Sequence, residues 1–193
     1  MMKAFAEQYY SALVGFINGI RATDGTGACL SFAEGVDRAI GLVTAMAGAG
    51  RKIMFIGNGG SAAISSHMAT DFWKRGGLRA VAFNDSSLIT CIGNDYGYRS
   101  VFEKPIGMFA DKGDILVAIS SSGRSENILL GVQAARAKGC GVVTLSGFDG
   151  NNPLSRMGDI NFHVPSTAYG PVEVIHHSIC HCILDTILHE KKA

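Results

Sequence analysis

Apolar residues recur at helical spacing over residues 2–22, at Phe5, Tyr9, Leu13, Phe16, Ile17 and Ile20, and predict an amphipathic helix. TDGTG breaks that pattern, and a second amphipathic helix follows over about 30–48, ending at AGAG. No strand is expected between these two helices, which are left to pack beside a sheet or against the same helices of another subunit. Beyond them the period changes. KIMFIG reads as a short buried strand, RAVAF as a second, DILVAIS as a third, GVVTLSG as a fourth and INFHV as a fifth. Helices are expected from about Ser61 to Trp73, from Ser125 to Lys138, and from about Pro171 to His189. Continuous apolar strands alternating with amphipathic helices imply a parallel sheet covered on both faces. The expectation is one α/β domain over 1–193: a three-layer parallel five-stranded sheet flanked by helices over 51–193, with an N-terminal helical extension over 1–48.

Composition narrows the class. Of 193 residues, 47% are hydrophobic and only 17% charged, which suits a compact globule with further surface buried between subunits. A formal net charge of +1 gives no case for nucleic acid or an anionic membrane as a partner. Cys29, Cys91, Cys140, Cys180 and Cys182 are odd in number and scattered, without CxxC, which argues against a disulfide framework or a cysteine zinc site. MMKAFAEQYYSALVGF lacks the apolar centre and small-residue cleavage site of a signal peptide, and no apolar run approaches the roughly 20 residues of a membrane span. A cytoplasmic location is expected.

Chemistry concentrates at two strand exits. GNGGS (57–61) follows the first strand and SSSGRS (120–125) the third, and each opens a helix. In open parallel sheets ligands sit beyond the carboxyl ends of the strands, where glycines admit close approach and free amides and hydroxyls donate to an anion. Neither stretch has a Walker lysine or dinucleotide spacing. Each alone reads equally well as a serine-capped turn. Two in one small sheet point instead to a sugar phosphate. His67 and Asp71 lie four apart on one predicted helix, and Glu173, His177 and His181 recur every four residues on the last. A lone histidine is more often a surface or interface residue, and part of HHSICH could line a subunit contact. Together a His/Asp pair and a Glu/His pair offer four ligands suited to zinc or a similar divalent ion.

GNGGSAAISSHMATDFWKR, CIGNDYGY, GDILVAISSSGRSENIL and GVVTLSGFDG resemble the sugar isomerase (SIS) family, most closely its phosphoheptose isomerase branch, over nearly the whole chain. The resemblance implies a flavodoxin-like core, a homotetramer and a zinc-dependent aldose–ketose isomerisation of sedoheptulose 7-phosphate through an enediol, within lipopolysaccharide heptose biosynthesis. It implies His67, Asp71, Glu173 and His181 as metal ligands, Asp standing for the family's Glu and Glu for its Gln. Asp71 and His181 become the acid and base. Asn58, Gly59, Gly60, Ser61, Asp71, Arg75 and Glu173 are implied in substrate binding, with Asn94 and Asp95 at the sugar hydroxyls and Ser120, Ser121, Ser122 and Ser125 at the phosphate. Without the family context, GNDYG reads equally as a plain turn. At STAYGPVEV the family's acidic residue is replaced by Tyr169 or Gly170. Two rival readings are an SIS isomerase for another sugar phosphate, such as a hexulose or arabinose phosphate, and a non-catalytic SIS protein that binds a sugar phosphate or a replication initiator protein.

Overall fold

The computed structural model describes residues 2–191. The chain runs α1 (Met2–Asn18), β1 (Arg21–Asp24), β2 (Cys29–Leu30), α2 (Phe32–Gly48), β3 (Ile53–Gly57), α3 (Gly60–Lys74) and β4 (Ala80–Ala82). It continues through α4 (Ser86–Tyr96), α5 (Glu103–Phe109), β5 (Ile115–Ser120), α6 (Glu126–Ala137), β6 (Gly141–Ser146), β7 (Ile160–His163) and α7 (Tyr169–Glu190). All seven strands join one sheet in the order β2-β1-β7-β6-β5-β3-β4.

The five expected strands are β3 to β7, and they pair in parallel. Side chains of β3 alternate between two cores, as a doubly covered strand requires. Ile53 and Phe55 join Met68, Phe72, Ile175 and Ile179 beneath α3 and α7. Met54 and Ile56 join Ile106, Ile128 and Val132 beneath α5 and α6. Each core is sealed by residues on its own set of helices, which gives the three layers.

Three expectations need correction. The sheet has seven strands rather than five, because the segment between α1 and α2 forms a hairpin, β1 and β2, antiparallel to each other and to β7. Only Ala22 of Arg21-Ala22-Thr23-Asp24 is buried, so this short polar edge leaves no apolar signature. The TDGTG break is its turn: the Asp24 carboxylate accepts from Thr26 N at 2.9 Å, Thr26 Oγ1 at 2.6 Å and Ala28 N at 3.1 Å. Second, α1 ends at Asn18, short of residue 22. Third, α4 and α5 were not anticipated. GNDYG supplies the last turn of α4, which Asp85 caps by accepting from Ser87 N and Leu88 N. That helix buries none of its residues, so it carries no apolar stripe to read.

At the opposite, amino edge of the sheet, the fully buried Asp114 accepts from Lys52 Nζ at 2.6 Å, Lys52 N at 3.0 Å and Asp111 N at 2.7 Å. These bonds tie the entry of β3 to that of β5. Removing this carboxylate leaves Lys52 N and Asp111 N without their acceptor, while Lys52 Nζ keeps Asp111 at 3.0 Å, so Asp114→Ala is expected to cost about 2–4 kcal/mol in urea unfolding.

Candidate functional site

Three helices that begin at the carboxyl edge of the sheet start without a side-chain cap. These are α3 at Gly59, α6 at Ser125 and α7 at Ala168. By contrast, α2 carries a capping box between Ser31 and Glu34, and α4 is capped by Asp85. An uncapped first turn leaves backbone N–H groups unpaired and the positive end of the helix dipole exposed, which favours an anion.

Residues from the starts of these three helices line one pocket of about 120 Å³. Asn58 and Ser61 come from the exit of β3, and Ser120, Ser121, Ser122 and Ser125 from the exit of β5. Tyr169 and Glu173 come from the first two turns of α7. Among the described residues, no lysine or arginine lines it. Arg124, within the serine loop, turns away to Asp149 at 2.7 Å. A phosphate here would meet hydroxyls and amides. Ser125 spends no hydroxyl on capping; its Oγ accepts from Ser120 Oγ at 3.3 Å.

Two glycines shape the pocket wall. Gly59 has φ +54°, a region that disfavours side chains. A Cβ on Gly60 would lie 2.6 Å from the Glu173 carboxylate, so only glycine lets that carboxylate rest against the start of α3.

The two loops are joined side chain to side chain. Asn58 Nδ2 donates to Asn127 Oδ1 at 3.0 Å, and Asn127 Nδ2 donates back to Asn58 Oδ1 at 2.9 Å. Tyr98 Oη adds a third bond to Asn58 Oδ1 at 3.0 Å. Asn127, buried at the start of α6, and Tyr98 are functional-site residues that the sequence alone does not mark. ENIL and DYGY gave no sign of them, because the pairing is between residues far apart in the chain.

Farther along α3 and α7, three imidazoles meet. Nitrogens of His67, His177 and His181 lie within 4.8 Å of one another, close enough to share one metal ion. The rings approach edge to face, with centroids 4.9 Å apart for His67 and His177 and 5.6 Å for His67 and His181. Burial, then the neighbouring His181 and His67, hold the His177 imidazole below its ordinary pKa. Its Nε2 is buried and has no hydrogen-bond partner among the described residues. His176, next in sequence, points elsewhere: fully buried, it donates from Nε2 to Ser146 O at 3.0 Å, and burial drives its pKa down to about 4.

The expected ligand set is only partly assembled. His67 and His181 stand in the cluster, but Glu173 faces the serine pocket and His177 takes a place beside the other two rings. Asp71 lies 3.7 Å from His67 Nε2 and is held by Arg75 at 3.2 Å, which also grips Asp185 at 2.8 Å. Arg75 is therefore bound to carboxylates and does not line the serine pocket. Nor do Asn94 and Asp95, which sit in the last turn of α4 and bond each other at 2.8 Å. The i, i+4 stripe of Glu173, His177 and His181 was the signal for His177; which of its members converge depends on how α7 lies against α3.

Residues 31–147 match the SIS domain family. The phosphoheptose isomerase of Aliarcobacter butzleri is 39% identical over 150 residues, covering 72% of this chain and 79% of its own length. That of Nitratidesulfovibrio vulgaris is 40% identical over 161 residues, covering 79% and 77%. Among solved structures, the phosphoheptose isomerase of Neisseria gonorrhoeae superposes with a TM-score of 0.85 at 30% identity, over 97% of this chain and 99% of that one. That of Francisella tularensis gives 0.85 at 27% identity, over 98% and 99%. Matched by that family over more than half its length, and by these isomerases over most of it, the chain belongs to the SIS domain family, on its phosphoheptose isomerase branch.

Proposed function

We propose that the chain is a metal-assisted aldose–ketose isomerase that converts sedoheptulose 7-phosphate to a heptose 7-phosphate. The observation that carries this reading is the pocket where three uncapped helix starts and four serines converge, with a carboxylate on its wall. The names of the relatives supply the heptose. The small pocket, lined mostly by hydroxyls, suits one phosphate group. The sugar chain then curves along α7 so that C1 and C2 lie between Glu173 and the histidines one and two turns on. Anchoring the phosphate holds the reacting carbons in place, so remote binding energy serves the chemistry.

Glu173 is assigned the proton transfer. It takes a proton from C1 of the ketose, and the electron pair left behind forms the C1=C2 bond of an enediol. Returning the proton to C2 while the hydroxyl proton passes from O1 to O2 leaves the aldose. His181 and Asp71 are less free for this work: His181 shares the imidazole cluster, and Asp71 is paired with Arg75. His67, His177 and His181 would hold a divalent ion such as zinc, which would supply Lewis-acid polarisation of the carbonyl oxygen.

The protein is also assigned as a homo-oligomer, a tetramer by family resemblance. Phe5, Tyr10, Val14 and Ile17 leave one helix, α1, with an exposed apolar surface. Light scattering should give a mass that is a multiple of 20.3 kDa; a monomer would refute the assembly.

Incubation with sedoheptulose 7-phosphate should yield an aldose phosphate, with activity lost on chelation and restored by zinc. Absence of conversion under both conditions refutes the reading. Glu173→Gln should lower kcat by about 10²–10⁴-fold with KM little changed. Retention of most of the wild-type kcat would remove Glu173 from the chemistry. Ser121→Ala, which deletes one hydrogen bond to a charged phosphate, should raise KM by about 10–100-fold, from about 1.5–3 kcal/mol of lost binding.

A further inference from the structure

We propose that the metal centre of this chain is a three-histidine site, His67, His177 and His181, with His177 in the ligand position that the family resemblance gives to Glu173. This rests on the metal-assisted reading above and assigns the groups that hold the ion.

Four observations support it. The three rings already have nitrogens within 4.8 Å of one another. A tetrahedral site with bonds of 2.0–2.1 Å separates its ligand nitrogens by about 3.4 Å, so the rings need close by only about an ångström. His177 Nε2 is buried without a partner among the described residues, a costly state in a ring that belongs to the cluster. Glu173, one turn earlier on α7, has its carboxylate against Gly60 at the uncapped start of α3, where the helix dipole favours negative charge. Asp71 is held by Arg75, which also binds Asp185, and it lies outside the three-imidazole cluster.

The donor set has chemical consequences. Three neutral imidazoles leave the ion its full double charge and a fourth position open, the pattern of a catalytic site. A nitrogen set also prefers zinc, cobalt or nickel to magnesium or manganese, which favour oxygen donors. The carboxylate that would have been a ligand is left free beside the phosphate pocket. Metal binding and proton transfer are then divided between separate residues, which removes the conflict of one group serving as both ligand and base.

The test loads metal-free protein with Zn²⁺ or Co²⁺ alone. It measures ions per chain, affinity, and the visible Co²⁺ spectrum for the wild type, His177→Asn, His67→Asn, Glu173→Gln and Asp71→Asn, with circular dichroism as the folding control. The wild type should hold about one ion per chain, and His177→Asn and His67→Asn should each weaken binding by more than about 100-fold. Glu173→Gln should keep the wild-type affinity and spectrum. X-ray absorption on the zinc-loaded wild type should count three imidazoles, a measurement independent of whether any variant folds. The proposal is overturned if Glu173→Gln loses metal while His177→Asn retains it, if two imidazoles are counted, or if the wild type binds neither ion. Isomerase activity without bound metal would sink the centre and leave the enzyme; a three-imidazole ion without sugar phosphate turnover would do the reverse.

Discussion

A parallel sheet can be closed only by crossover connections, so the helices that follow its strands begin along one common edge. That constraint organises this protein. The starts of α3 and α6 are delivered to neighbouring strand exits, and α7 returns to the same edge after β7. At all three the first turn is left without a side-chain cap; α2 and α4 are capped, and α5, also uncapped, starts away from the pocket. The open amides therefore collect where the serines are. The anion site follows from the topology that brings three uncapped starts and the serines to one edge.

Rigidity at this edge comes from a small polar network. Asn58 and Asn127 exchange two hydrogen bonds across the exits of β3 and β5, and Tyr98 fastens the segment after α4 to the same amide. An amide pair that satisfies its own donors and acceptors holds two glycine- and serine-rich loops in register without filling the pocket with side chains. Behind the loops, the doubly buried β3 and β5 give the exits a fixed base, and the Lys52–Asp114 pair anchors the far ends of those strands.

One helix then spans the site. Along α7, Tyr169, Glu173, His177 and His181 fall on a single stripe, so phosphate pocket and imidazole cluster share a ruler with a rise of about 6 Å per four residues. Its partner α3 supplies Ser61 at one end and His67 farther along. Two packed helices carry both the binding groups and the metal-ligating groups, which keeps their separation constant.

The amino-acid sequence by itself determined the parallel core, because strands such as IMFIG and ILVAIS are apolar on both faces and can be buried only between two helical layers. It also determined the serine loops, since their residues are contiguous and their chemistry is local. It was silent on the β1–β2 hairpin and on α4, which have little buried apolar surface to mark them. The tertiary structure alone decided which groups meet. The i, i+4 stripe on α7 is equally compatible with Glu173 or His177 facing α3 at the level of His67. The packing of the two helices, and the absence of a side chain at Gly60, turn Glu173 to the serines and bring His177 to the other imidazoles. Convergence between distant segments is a property of how surfaces pack, and no local spacing encodes it.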